Sequence, residues 1–159
     1  MSAISLLYAQ DFYRWLLRNA DLIRQGNFTE VDRENVAEEL EAMGKREQRE
    51  LINRFAVLLA YLLKWQYQKE RRSASWSDTI IEQRLQIQQL LEDSPSLTHE
   101  LQAKIERAYQ LARSIAAKET RVDSGIFPTQ CPFAEQEMLD ENVPFFLMNA
   151  NDDIMTSRL

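Results

Sequence analysis

Glu38, Glu39 and Glu41 sit together in a stretch of helical periodicity, at a spacing that suits one kind of chemistry. Residues three apart share a helical face. Glu38 and Glu41 could therefore hold one divalent cation, as carboxylate oxygens do for magnesium or manganese. A divalent-metal-dependent all-α nucleotide phosphohydrolase would need a second acidic pair, Glu-x-x-Asp, on a nearby helix. Here the one such pair, Glu137–Asp140, lies far along in the C-terminal arm, which departs from that pattern. Bundled di-iron sites need Glu-x-x-His, and the single His99 has Ser96 at that spacing, which excludes the class. The plainer reading is an acidic face near a helix start that complements the helix dipole. On that reading no residue is assigned to a metal, no catalytic residue is assigned and no cofactor is expected, with Glu38 and Glu41 kept as the metal-dependent alternative.

Cys131 could act as a nucleophile only with a base to activate it, and His99 would have to come from another segment. Cys131-Pro132, set between Phe127 and Phe133, reads better as a small anchor for the arm. There is no Gly-rich phosphate loop, no Cys-x-x-Cys and no Gly-x-Ser-x-Gly.

A different chemistry is offered by Leu62–Trp76, LLKWQYQKERRSASW. It sets two tryptophans, a tyrosine and the cations Lys64, Lys69, Arg71 and Arg72 around one anion, Glu70, in a chain of net charge −6. Nucleobases could stack on Trp65 or Trp76 with Arg71 and Arg72 on phosphates. Equally, the tryptophans could be core residues screened by cations that lie over their faces. The acidic remainder of the chain disfavours nucleic acid. An acidic protein partner, or a second copy of the chain, is less penalised. Arg71, Arg72 and Trp76 are therefore the candidate partner-binding residues.

These groups must be positioned by helices. With 3 Gly and 4 Pro in 159 residues there is little to punctuate short strands. One domain of this length buries roughly 70% of its unfolded surface. The single cysteine permits no intrachain disulfide. The first residues, MSAISLLYAQDF, lack the cationic start of a secretory signal. The longest apolar run, Phe55–Leu63, is far short of the roughly 20 residues that cross a bilayer. A soluble cytoplasmic protein with no membrane association is expected.

The spacing predicts a first helix from near Asp11, with Leu6–Gln10 as a lead-in. Phe12, Trp15, Leu16, Leu22 and Ile23 form its stripe, and Gly26 is a left-handed cap. Asp32 caps a second helix that runs unbroken to Gln68, about 36 residues and roughly 54 Å. A bend at Gly44 is left open. Ser75 and Asp78 stand at capping-box spacing for a third helix. It runs to about Asp93, with Ile80, Ile81, Leu85, Ile87 and Leu91 facing inward. A fourth, about residues 98–120, carries Leu101, Ile105, Ala108, Ala112 and Ile115. An arm over 121–148 holds one short helix, and 149–159 is expected to be a mobile tail. The expected fold is thus all-α: an antiparallel four-helix bundle with one long helix and an irregular C-terminal arm, a single domain over 1–148.

Short connections make successive helices antiparallel neighbours. Reflection about the turns puts Trp15 opposite Met43 and Arg84 opposite Glu106. It also gathers Trp65, Tyr67 and Trp76, with Arg71 and Arg72 left exposed.

The order of these pieces resembles a bacterial family catalogued as domain of unknown function number twenty-nine. The resemblance is carried by Tyr8-x-x-Asp11-Phe12-Tyr13-x-Trp15-Leu16, by Glu38-Glu39-Leu40-Glu41-x-Met43-Gly44-Lys45, and by LLKWQYQ and ERRSASW. Gln83-Arg84, Asp93-Ser94-Pro95-Ser96-Leu97 and the Phe127-Pro128…Cys131-Pro132-Phe133 arm complete it. It implies a helical bundle and carries no activity. The leading functional expectation is a small non-catalytic protein-interaction module, which could self-associate through uncovered length of the long helix.

Overall fold

The computed structural model describes residues 2–140; the expected tail 149–159 and the arm's last residues, 141–148, lie outside them. The described residues form α1 (Ala3–Gln10), α2 (Phe12–Arg24), α3 (Arg33–Tyr67), α4 (Ala74–Asp93), α5 (Leu101–Thr120) and α6 (Glu135–Leu139). No strand occurs among them. The all-α class, the long helix and the short helix of the arm are as the sequence predicts. The chain divides into two compact units, Met1–Glu47 and Gln48–Leu159, so α3 runs through the boundary. Among the described residues no helix is long and apolar enough to cross a membrane.

In the first unit the lead-in is a helix of its own. Ser2 caps it by accepting from the Ser5 amide at 3.3 Å. Asp11 interrupts it with a non-helical backbone, and its carboxylate accepts from the Arg14 amide at 3.1 Å to start α2. Gly26, at φ +73°, ends α2 in the left-handed region. Its amide reaches Ile23 O and the Asn27 amide reaches Leu22 O, so two otherwise unpaired carbonyls are satisfied. Of the apolar stripe of α2, Trp15 and Leu22 are buried, whereas Phe12, Leu16 and Ile23 are more than two-fifths exposed. Met43, expected in the core opposite Trp15, is 54% exposed.

Trp15 is instead held at the start of α3. Its indole N–H donates to the Asp32 carboxylate at 2.9 Å, and the Asp32 amide donates to the Asn19 side chain at 2.9 Å. Asn19, buried, returns its own amide group to Trp15 O at 2.9 Å. Burial pushes the Asp32 carboxyl up, but bonds donated by Asn35 and Trp15 outweigh it and hold the group below its ordinary value. Tyr8 sits edge-on to Trp15 and Phe12, and its hydroxyl donates to Glu39 at 2.5 Å. The core of this unit is thus a small aromatic–carboxylate joint.

The second unit is built on the other half of α3. Leu51, Ile52, Phe55, Leu58, Leu59, Ala60, Leu63 and Lys64 are buried, and Val57, Tyr61 and Trp65 between them are half-buried, so most of the circumference is covered. A helix apolar all round must be covered all round. α4, α5 and the arm supply that cover through Ile80, Ile87, Ile105, Tyr109, Phe127, Phe133 and Met138. Small residues on α5, Ala108, Ala112 and Ala116, are fully buried in the same cluster. Ile81 and Leu85 of α4, expected inward, are about half exposed, because Ile80, Arg84 and Ile87 take the inner positions. The α4 cap is Ser73, two residues before the expected Ser75; its hydroxyl accepts from the Trp76 amide at 3.3 Å.

The arm is irregular, so its carbonyls need donors from elsewhere. α5 provides Tyr109 to Pro128 O at 2.5 Å, Gln110 to Thr129 O at 3.1 Å and Arg113 to Ser124 O at 3.2 Å. α4 provides Gln88 to Leu139 O at 2.7 Å and Arg84 to Glu137 O. Arg84 is buried, as its place on an apolar line predicts, but its partner is this carbonyl in place of Glu106, which stays exposed on α5. Asp140 and Glu137 are the acidic charges that face it.

Candidate functional site

Helix α3 ends at Tyr67, and a tight 3-10 turn over Lys69–Arg71 leads to α4. This places the basic, aromatic elbow in the second unit, where most of its polar groups are bound inside the chain. Lys64 is the clearest case. By residue type a surface cation, it is 4% exposed, and its ammonium pairs with Glu119 of α5 at 2.7 Å. The same nitrogen lies 3.7 Å from the Tyr61 ring centroid and 4.8 Å from that of Trp76. Two aromatic faces and one carboxylate replace the water it has lost.

Arg72, expected in the open connection, is half-buried. Its Nε donates to Trp65 O at 2.8 Å, and the guanidinium lies 4.8 Å over the Trp65 ring. It closes the end of α3, where carbonyls lack helical partners. Arg71 is exposed, yet its Nη1 donates to Thr120 O at 3.1 Å and to Gln68 Oε1 at 3.2 Å, which ties the turn to the end of α5. Tyr67, expected to cluster with the tryptophans, meets Phe127 edge-on at 5.8 Å. Trp76 is half-buried with Lys64 over its face. A cleft of about 850 Å³ opens beside Tyr67 and Arg71, lined also by Val122 and Ile126.

The acidic candidates are placed differently. Glu38 and Glu41 both lie exposed on α3, while their neighbour Glu39 is taken by Tyr8. No three His, Cys, Asp or Glu side chains gather as metal ligands would among the described residues. Glu137 of the second acidic pair accepts from the Ala134 amide at 2.8 Å and so starts α6. Cys131 is half-buried against the core, and its thiol donates to Phe133 O at 3.6 Å. Burial pushes that thiol up, away from the thiolate a nucleophile needs. His99 is exposed beside Glu100, at 3.8 Å.

The feature that periodicity does not reveal is the outer face of the first unit. Phe12, Tyr13, Leu16, Leu17 and Ile23 of α2, with Leu40 and Met43 of α3, are 42–72% exposed. With Leu6 and Phe28 they make nine of the fourteen exposed large apolar side chains among the described residues, in less than a third of the chain. The signal is present in the sequence as a stripe wider than one contact needs. Periodicity marks an apolar face without saying whether the same chain covers it.

No curated protein and no solved structure matches the chain. The model of the family described as Domain of unknown function DUF29 matches residues 7–144, which takes in residues of both units and much of the arm. The matched range takes in the pieces just placed: the Tyr8–Trp15 joint, the acidic start of α3, the elbow, Arg84 and the arm it straps. The chain belongs to the DUF29 family.

Proposed function

We propose that the protein is a non-catalytic interaction module whose docking surface is the outer face of its N-terminal unit. One observation carries this reading: five of the thirteen residues of α2 are large apolar side chains at least two-fifths exposed. Phe12, Tyr13, Leu16 and Leu17 adjoin one another at three-and-four spacing on α2, and exposed apolar surface of this kind marks an interaction site in a folded protein. The elbow is then a structural joint, since Arg71 and Arg72 donate within the chain and Trp76 is covered by Lys64. That reading replaces the elbow with α2 as the place to look for a partner.

Site-specific photocrosslinking in the native cell tests it. A crosslinking residue in place of Leu16 should give a discrete adduct, and the same residue in place of exposed Gln89 on α4 should not. A ladder of weak adducts at both positions, or none at 16, refutes the reading.

A further inference from the structure

The first unit cannot owe its stability to its own core. Trp15 and Leu22 are its sole buried apolar side chains among the described residues, and units of this size are marginal even with a full core. The outer face is the apolar area this unit has left to bury, and its chemistry says against what. We infer that the occupant is a second copy of this chain, paired symmetrically so that α2 of each copy lies on residues 36–43 of α3 of the other. This rests on the reading of the face as a docking surface, and names its partner.

Area is the first argument. If about half of each large side chain is exposed, at roughly 150–250 Å² for a whole side chain, the seven on α2 and α3 offer roughly 700 Å² per copy. Standard stable interfaces bury about 800 Å² per partner. Charge is the second. α2 carries Arg14, Arg18 and Arg24 against Asp21, a surplus of two positive charges. Residues 33–47 of α3 carry Arg33, Lys45 and Arg46 against five glutamates, a surplus of two negative charges. A twofold axis that lays α2 on the other copy's α3 makes this match twice, once in each direction. α2 laid on α2 would instead oppose like charges.

The stripe also has an end that suits this pairing. Val36, Leu40 and Met43 follow one another at three-and-four spacing, and the next positions of that series are Glu47 and Glu50. The apolar contact is thereby confined to the first unit. Leu16 and Leu40 lie at the middle of their stripes and face each other across the interface.

Analytical ultracentrifugation of the purified chain decides the matter. At micromolar concentration the sedimenting mass should be twice that of the chain. Leu16→Glu and Leu40→Lys should each give the monomer with helicity unchanged, since both side chains are exposed. Mixing the two variants should restore the dimer mass. Each heterodimer has one native α2–α3 contact and one in which the carboxylate introduced on α2 meets the ammonium introduced on α3. Salt should weaken the mixed dimer more than the native one. A monomeric native chain that still gives a discrete adduct of another mass at position 16 in the cell overturns the second copy and leaves the docking face standing. A monomer without any adduct overturns both. A native dimer that either variant leaves intact, or a mixture that stays monomeric, overturns the α2-on-α3 pairing.

Discussion

The two units of this chain solve the same problem with unequal means. Beyond Glu47, twenty apolar residues form one buried cluster around α3, and polar side chains on α4 and α5 strap an irregular arm over it. Before Gln48, two apolar residues are buried among those described, and the helices are joined mostly by Trp15, Asn19 and Tyr8 bonding to Asp32 and Glu39. One unit is held by area removed from water, which is non-directional and large in sum. The other is held by a few directed bonds of about 1–3 kcal/mol each. What the second arrangement leaves free is surface, and that is where we place the proposed docking face.

Deleting core volume should separate the units most sharply. Phe55→Ala empties a fully buried site and should cost about 3–5 kcal/mol. Leu16→Ala, on the outer face of α2, should change the unfolding free energy of a monomeric background by about 0.5 kcal/mol or less. Denaturant titration measures both. A comparable loss from the two changes would mean that the α2 face is part of the core after all.

The elbow offers the next largest effect, and its sign depends on which partner is changed. Glu119→Ala leaves the buried Lys64 ammonium without its carboxylate. Breaking a fully buried pair costs about 3–5 kcal/mol. Glu119 is 46% exposed, so solvent screening reduces this to about 2 kcal/mol. Lys64→Met removes the charge, keeps most of the volume between Tyr61 and Trp76, and leaves Glu119 in water. It should be neutral within about 1 kcal/mol. Equal losses in the two variants would assign the stabilisation to the ion pair itself.

In the first unit the weak point is protonation. Asp32 ionises below its ordinary value of 3.8, so the folded state favours its carboxylate. The stability this contributes is complete above 3.8 and is lost as pH falls through the lower folded value. Trp15 fluorescence should report this joint opening in acid, earlier in pH than the helicity of α5 declines. Trp15→Phe removes the donor at a cost of about 1.5–3 kcal/mol, and it should bring Asp32 back towards 3.8. An acid transition that leaves Trp15 and α5 coincident would contradict two units of different strength.

How legible this is depends on whether the signal is local. Asp11 and Gly26 announce the ends of α2 because a cap acts within one turn. The cap of α4 falls at Ser73 where spacing points to Ser75, because the 3-10 turn Lys69–Arg71 alters the register and two serines offer the same chemistry. Arg84 is readable as buried from its place on an apolar line. Its partner is not, since a backbone carbonyl near the end of α6 leaves no mark in the sequence. Lys64 and Arg72 look exposed because they are charged. What buries them is a carboxylate 55 positions away and the chain's own carbonyl seven positions back. The family pattern is readable in order and spacing, and what it announces is an architecture.

The smallest expected effect is a gain. Arg121 ends α5 at φ 56°, in the left-handed region where a side chain crowds the backbone. Its amide donates to Ala117 O and so does that of Val122, an arrangement that glycine adopts without strain. Arg121→Gly relieves the strain but increases the freedom of the unfolded chain, which offsets part of the gain. The balance should favour the folded second unit by about 0.5–1 kcal/mol, seen as a later denaturant midpoint with an unchanged slope. The same substitution should leave the acid opening at Asp32 where it was, because the bonds that hold Asp32 are made within the first unit. A shift of both transitions together would show that the strength of one unit is transmitted to the other.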